Sequence, residues 1–131
     1  MIFAENEPEP IRRIDPASAT LLPQSEPTPA VGNVLVPTAA LFEKDALIWD
    51  RLNSRALSFA GEGAALDIAF PDSPNLGIWQ KPGAPFLAIE PWHGFNDPQG
   101  FEGDIFDKPG IIALPEGQER SFRMDVTVRR G

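Results

Sequence analysis

The chain contains no cysteine and only one histidine, His93. The absence of cysteine excludes disulfide bonds, thiolate metal ligands and thiol nucleophiles, and it is typical of a reducing compartment. One histidine is too few for a two-histidine zinc motif, and no G-x-S-x-G motif is present to hold a nucleophilic serine near His93. The sequence therefore excludes most hydrolase chemistry and predicts neither a metal site nor a cofactor.

Clustered positive charge and long apolar runs are also missing. The chain has 11 lysine and arginine residues against 19 aspartate and glutamate residues, for a net charge of −8. Such a chain does not suit the phosphate backbone of a nucleic acid. No apolar run approaches the roughly 20 residues that span a bilayer, and residues 1–4 are too short for a signal-peptide core. We therefore expect a cytoplasmic protein that binds neither nucleic acid nor membrane.

Proline and glycine are abundant, with 15 and 11 residues among 131. Because proline interrupts helices and recurs along the whole chain, little of it can form long helices. Apolar residues make up 42% of the chain, which is enough to build one core. The sequence predicts a single all-β domain over residues 1–131.

Seven of the prolines lie within residues 1–40. Proline cannot donate to a β-ladder and is confined to sheet edges and strand starts. Residues 1–40 are therefore predicted to form an extended arm or edge strands, with no central strand before Asn33. The main strands are expected within residues 41–131.

Residues 41–57 allow two readings. Apolar residues at positions 42, 46, 49, 52 and 56 would suit one face of a helix. The competing prediction is a strand over residues 46–49, a turn at 51–55 and a second strand over 56–59.

Five later strands are predicted, at residues 66–70, 76–80, 86–90, 111–114 and 122–129. Alternation of apolar and polar residues predicts the first and the last, and short apolar runs predict the three between them. The last of these alternates most regularly, which predicts one buried and one solvated face. Turn residues at 81–83 connect the second and third of these strands, and those at 115–117 predict an antiparallel hairpin between the last two.

Glu90 lies at the end of an apolar strand, with Trp79 and Trp92 nearby in the sequence. A carboxylate beside apolar groups loses hydration and can serve as a general base, while aromatic rings can bind the C–H face of a sugar. Pro91 forces Glu90 into an extended conformation, is expected to end the ladder and places the side chain at a rim. The alternative is a solvated strand-end glutamate with both tryptophans in the core.

Three other groups have a functional and a structural reading. His93 is either an acid–base group or a loop histidine. Residues 97–107 contain four acidic side chains and either bind calcium or form a solvated acidic loop, and they lack EF-hand spacing. The segment 61–63 reads as a hairpin turn, because no G-K-[ST] sequence follows to make a phosphate loop.

Several motifs resemble the C-terminal part of bacterial aldose 1-epimerase (galactose mutarotase)-like proteins. They are LGIW at 76–79, FLAIEPW at 86–92, GF at 100–101 and DKPGII at 107–112, with LFEKDALIWD at 41–50 and NSR at 53–55 upstream. The resemblance extends from about Glu5 to Arg129. It implies the C-terminal portion of an antiparallel β-sandwich of the galactose mutarotase type.

The resemblance also implies a reaction, the exchange of α and β anomers of a free aldose. In that family a glutamate acts as general base on the C1 hydroxyl and a histidine protonates the ring oxygen. By motif match the glutamate is Glu90, and the sugar-binding aspartate falls on Asp45. Trp79, Trp92 and Lys81 complete the expected substrate-binding set, with Lys81 as a contact for an anionic group.

The chain departs from the family in one important respect. Family members are roughly twice as long, and their acid histidine lies in an N-terminal half that has no match here; His93 does not correspond to it. Half a sandwich leaves apolar positions and strand edges uncovered. We therefore expect a homo-oligomer or a partner chain over the open face. The alternative function is a non-catalytic carbohydrate-binding or interaction module, or a truncated fragment.

Overall fold

The computed structural model describes residues 1–130, which form two antiparallel β-sheets and two short 3-10 helices, Ala39–Phe42 and Ile105–Asp107. The strands are β1 (Ile2–Phe3), β2 (Ile11–Ile14), β3 (Leu21–Glu26), β4 (Leu47–Trp49), β5 (Ala56–Gly61), β6 (Ala64–Ala69), β7 (Asn75–Trp79), β8 (Ala88–Trp92) and β9 (Asp125–Arg130). Within residues 1–130 no helix is long and apolar enough to cross a membrane.

The two sheets pack as a sandwich, which confirms the predicted fold class. The four-stranded sheet has the order β1-β5-β6-β9, and the five-stranded sheet has the order β3-β2-β4-β7-β8. The inner faces of both sheets supply one apolar core. Trp49 is fully buried at its centre and meets Phe3 edge-on, with the ring centroids 5.6 Å apart. Other buried members of this core are Ile11, Leu35, Phe42, Leu47, Leu52, Leu57, Ile68, Phe70, Leu76 and Ile78.

Strand β2 corrects the prediction that no central strand precedes Asn33. It lies inside the five-stranded sheet, between β3 and β4. The prolines at positions 10 and 16 flank this strand, so all four of its residues keep a backbone N–H for the ladder. Proline content over forty residues was the wrong measure, because a strand of four needs only a short gap between prolines.

Residues 41–57 follow the strand reading, and the helix reading is wrong. A 3-10 helix ends at Phe42, and β4 and β5 follow. Asp45 lies between the 3-10 helix and β4 and has a φ of 68°. A non-glycine residue in this left-handed region cannot continue a helix, so the chain turns here into β4.

The hairpin turns at 61–63 and 81–83 were predicted correctly, but the position of β8 was not. Glu62 and Gly63 connect β5 to β6, with Gly63 at a φ of 76°. The turn at 81–84 connects β7 to β8, with the Ala84 N–H donating to the Lys81 carbonyl. Strand β8 starts two residues later than predicted, and Pro91 lies within it, opposite Leu76, instead of ending the ladder. An edge strand accepts a proline because one side of its backbone needs no partner.

The predicted strand at 111–114 and its hairpin with the last strand are wrong. Residues 111–114 form no strand, although a turn does form where the Gln118 N–H donates to the Pro115 carbonyl. Strand β9 pairs instead with β6, along six consecutive residue pairs. The turn at 115–117 was therefore predicted correctly, but the segments before and after it do not pair with each other in the sheet.

The four-stranded sheet has an uncovered inner surface at β9. Val126 lies opposite Ile68 and Val128 opposite Leu66, so both valines are on the core side of the sheet. Yet Val126 is 49% exposed and Val128 is 61% exposed. The prediction of one buried face for this strand is therefore wrong: the apolar face exists, and residues 1–130 do not cover it.

Candidate functional site

Three of the predicted site residues share the outer face of the five-stranded sheet. In the β7–β8 ladder, Glu90 lies opposite Gly77, while Trp92 lies opposite Asn75 and Trp79 opposite Ala88. Facing residues point to the same side, and the residues between them point to the core. Trp79, Glu90 and Trp92 therefore lie together on the side away from the core.

Both tryptophans contact apolar side chains and keep part of their surface in solvent. Trp79 and Trp92 pack against a second, small cluster of Leu21, Ala46 and Ile48 on this outer face. They are half-buried, in contrast to the fully buried Trp49. The structure thus combines the two readings: each indole is anchored in a cluster, and each remains partly accessible.

Glu90 is half-buried, and among residues 1–130 its carboxylate has no hydrogen-bond or ion-pair partner. Trp79 is its diagonal neighbour across the ladder, about 7–8 Å away between Cα atoms. Trp92 is two residues along on the same strand and therefore on the same face. A carboxylate in this position is free to accept a proton or a hydrogen bond from a bound molecule.

Asp45 and Trp79 line one cavity of about 510 Å³ near the start of β4. The Oδ1 atom of Asp45 accepts a hydrogen bond from its neighbour, the Ala46 N–H, at 2.6 Å. The other cavity residues are Arg13, Ile14, Pro16, Leu22, Glu26, Phe42, Glu43, Lys44 and Pro82. Glu90 and Lys81 lie outside this cavity. Trp79 is therefore the residue that joins the cavity to the sheet face carrying Glu90.

Lys81 is exposed in the β7–β8 turn and contacts none of the other predicted site residues through a hydrogen bond or ion pair within residues 1–130. The adjacent residue, Pro82, lines the cavity. The structure therefore places Lys81 at the rim and does not bring it into contact with the site.

Arg13 is a site residue that the sequence reading missed. It is buried, and its guanidinium donates to the carbonyl oxygens of Leu41 and Asp45, both at 2.9 Å. It also pairs with Glu26 at 3.2 Å. The arginine thereby holds the backbone that presents Asp45. The sequence pattern that could have indicated it is IRRI in β2. Alternation along this strand places Arg13 on the same side as the core residue Ile11.

Three of the five charged residues on the cavity wall pair with one another, Glu26 with Arg13 and with Lys44. Glu26 accepts from Lys44 at 3.1 Å and from Arg13. The hydrogen bond from Lys44 is the main cause that lowers the pKa of the Glu26 carboxyl below its ordinary value; burial opposes it, and the hydrogen bond from Arg13 adds to it. The cavity thus combines a mostly apolar wall with a few polar and charged side chains, which is a common composition for a site that binds a small molecule.

His93 does not face Glu90. It lies just beyond the end of β8, and its ring meets Phe122 edge-on with centroids 5.3 Å apart. Its Nε2 atom is 3.4 Å from the Arg120 guanidinium. His93 lines a different cavity of about 330 Å³ with Lys108 and Phe122. A shared acid–base pair of Glu90 and His93 is absent from this arrangement.

The acidic loop at 97–107 is held by its own contacts. Asp97 pairs with Lys108, and Asp104 accepts from the Phe106 N–H at 2.9 Å at the start of the second 3-10 helix. Within residues 1–130 no group of three or more acidic or histidine side chains is arranged to hold a metal ion.

The chain is similar to a longer protein. Over 93 residues it is 34% identical to protein LacX of Lactococcus lactis subsp. lactis, in both the plasmid and the chromosomal form. The matched segment covers 68% of this chain and 31% of LacX. The chain thus spans about a third of the length of the curated relatives it matches. No protein-family model matches the chain, and no solved structure matches it.

Proposed function

We propose that the chain binds a monosaccharide on the outer face of the five-stranded sheet and that Glu90 acts there as general base in the exchange of aldose anomers. The observation that carries this proposal is the unpartnered carboxylate of Glu90 on the same face as Trp79 and Trp92. The similarity to LacX and the resemblance of the FLAIEPW motif to aldose 1-epimerase-like proteins support the same assignment.

The chemistry requires one base and one acid. Glu90 takes the proton of the C1 hydroxyl, the bond between C1 and the ring oxygen breaks, and an acid gives a proton to that oxygen. The open aldehyde turns about the C1–C2 bond, and the reverse steps close the ring on the other face. A base must lie about 2.6–3.2 Å from the hydroxyl it deprotonates, so a sugar has to rest directly against Glu90.

The two indoles supply the surface on which a sugar ring would rest. A pyranose presents C–H groups on its faces and hydroxyl groups at its rim, and flat aromatic rings bind the C–H faces. Trp79 and Trp92 are anchored below by Leu21, Ala46 and Ile48, so little conformational freedom remains to be lost on binding. Asp45, at the far side of Trp79, is the hydrogen-bond acceptor that would orient the hydroxyl groups.

The acid has to come from outside this face. His93 contacts Phe122 and Arg120, and Glu90 has no titratable partner within residues 1–130. This observation favours a second candidate function, the binding of a sugar without turnover. The two candidates share the same site and differ only in whether the bound sugar exchanges its anomers faster than in water.

Polarimetry of freshly dissolved α-glucose or α-galactose, with and without the chain, tests the first candidate. Removing a general base typically lowers the rate about 10²–10⁴-fold, so Glu90→Gln should abolish the acceleration. Glu62→Gln, in the exposed turn between β5 and β6, is the matched control and should keep it. An acceleration that survives Glu90→Gln would reject Glu90 as the base.

Tryptophan fluorescence separates the second candidate from the first. Under that candidate, titration with the same sugars changes the emission, and the optical rotation relaxes at the rate of the buffer alone. The absence of both responses with a range of monosaccharides would reject sugar binding at this face altogether.

A further inference from the structure

Strand β9 forms an open edge of the four-stranded sheet. Among residues 1–130 it pairs only with β6, and its other side carries no strand. An open edge with free backbone groups readily pairs with another chain. Proteins that avoid such pairing place proline, lysine or other charged residues on the edge; the segment DVTVRR contains neither proline nor lysine, and its charged residues carry both signs.

The pairing of the other strands shows which backbone groups of β9 are free. The β5–β6 hairpin closes at Gly61 and Ala64 around a two-residue turn, so the even-numbered residues of β6 bond to β5. The odd-numbered residues of β6 therefore bond to β9, and their partners there are Asp125, Thr127 and Arg129. It follows that Val126 and Val128 direct their N–H and C=O groups at the open edge.

We propose that two copies of this chain pair through β9, antiparallel and centred on Thr127, to make one continuous sheet with four strands from each copy. In this register Val126 bonds to Val128 of the partner subunit in both directions. The free N–H and C=O groups of both valines are then satisfied. This proposal is independent of the proposed function.

The charges of the residues that face each other favour this register over the two neighbouring registers. Centring on Thr127 places Asp125 opposite Arg129 of the partner subunit, twice by symmetry, on the outer face, where Asp125 also pairs with Arg123 and Arg129 with Asp67 of the same chain. Moving the centre to Val126 would set Arg123 opposite the partner's Arg129, and like charges directly opposite each other destabilise a sheet. Moving it to Val128 removes the pairing of Asp125 with Arg129. A second copy of this chain is thus the partner whose charges fit the edge.

The uncovered inner face is continuous with this edge. Val126 and Val128 point to the core side and are 49% and 61% exposed, and Met124 just before the strand is 56% exposed. In the proposed register each of these valines lies beside a valine of the partner subunit. Cross-strand contacts between β-branched residues stabilise a sheet. The same pairing therefore reduces the exposed apolar surface.

Single cysteine variants test the register, because the chain has no cysteine of its own. Residues facing each other in a non-hydrogen-bonded pair are about 4.5 Å apart at Cα, which is within disulfide range. Thr127→Cys should therefore form a covalent dimer on oxidation. Val126→Cys and Val128→Cys lie diagonal to their own copies, at about 7–8 Å or more, and should remain largely monomeric on a non-reducing gel. Preferential cross-linking of either of these two would overturn the register.

Light scattering tests the dimer itself. The unsubstituted chain should show twice its mass of 14.3 kDa. Val128→Pro removes one edge N–H and leaves the bonds to β6 in place, so the mass should fall to 14.3 kDa. Val128→Ala keeps the N–H and should remain a dimer. A monomeric unsubstituted chain, or a Val128→Pro variant that keeps the doubled mass, would overturn the proposal.

Discussion

The indole of Trp92 lies directly over Gly77 on the neighbouring strand. A Cβ atom added at Gly77 would be 2.7 Å from Cζ2 of that indole and 2.8 Å from Cη2. Gly77 is also the residue opposite Glu90 in the ladder. The missing side chain therefore allows an aromatic ring to lie flat against the sheet beside the candidate base.

Gly77→Ala should displace the Trp92 ring. Overpacking of this kind costs about 1–3 kcal/mol in the free energy of unfolding, which urea denaturation would measure. Under the proposed function it should also weaken the fluorescence response to sugar. The control is Gly61→Ala, where an added Cβ has nothing within 4 Å. Equal unfolding midpoints for Gly77→Ala and the unsubstituted chain would contradict the contact.

Local patterns predicted the parts of the fold that depend on local chemistry. The alternation at 66–70, the turns at 61–63 and 81–83 and the all-β class follow from residue type and spacing, and the structure confirms them. The pairing of β9 with β6 could not be predicted this way. It connects residues far apart in sequence, and a hairpin with the preceding segment satisfied the same local signals.

The candidate site could be predicted only in part, because some of its contacts also join residues that are far apart in sequence. Period-two spacing along one strand places Glu90 and Trp92 on one face, whereas the addition of Trp79 needs the register with β7. Arg13 was not predicted as a site residue, because it holds the backbone near Asp45 by donating to three carbonyl oxygens of residues 41–46, which approach it only in the folded chain. An isolated arginine in a short strand carries no sign of that.

Glu7 is a buried carboxylate that connects the N-terminal segment to the loop before β5. It is 1% exposed and accepts from the N–H groups of Asn53 at 3.0 Å and Ser54 at 2.7 Å. Glu7→Gln replaces one acceptor oxygen with an amide group and leaves a buried N–H without a partner. The expected loss is about 1–3 kcal/mol in urea unfolding. Glu5→Gln, at an exposed side chain two residues earlier, should change little; a similar loss in both variants would contradict this role.

Asp67 should make stability depend on pH in the acid range. Hydrogen bonds from Arg129 and then from the Ser58 hydroxyl lower the pKa of Asp67 from 3.8 to about 2. A lowered pKa in the folded state means that the carboxylate contributes stability above its ordinary pKa of 3.8, and that this contribution is lost as the pH falls towards about 2. Urea midpoints measured across this range should fall with pH, and Asp67→Asn should flatten that fall.

Arg129→Gln is the reciprocal variant for the same pair. Without the guanidinium, the pKa of Asp67 should return towards its ordinary value, so the difference from the unfolded chain narrows and the acid-induced loss of stability should be smaller than in the unsubstituted chain. NMR titration of the Asp67 carboxyl measures the pKa directly. A pKa unchanged by Arg129→Gln would show that the ion pair does not form in solution.

The three tryptophans should respond differently to a sugar, which gives the proposed site a spectroscopic test. Trp49 is fully buried in the core, and its Nε1 atom has no hydrogen-bond partner among residues 1–130. Trp49→Phe therefore loses no hydrogen bond and should preserve the sugar-dependent change in emission. Trp79→Phe and Trp92→Phe should each reduce that change, and the double variant should abolish it, because only these indoles lie on the face of Glu90. A sugar response that persists in the double variant and disappears in Trp49→Phe would move the binding site away from this face.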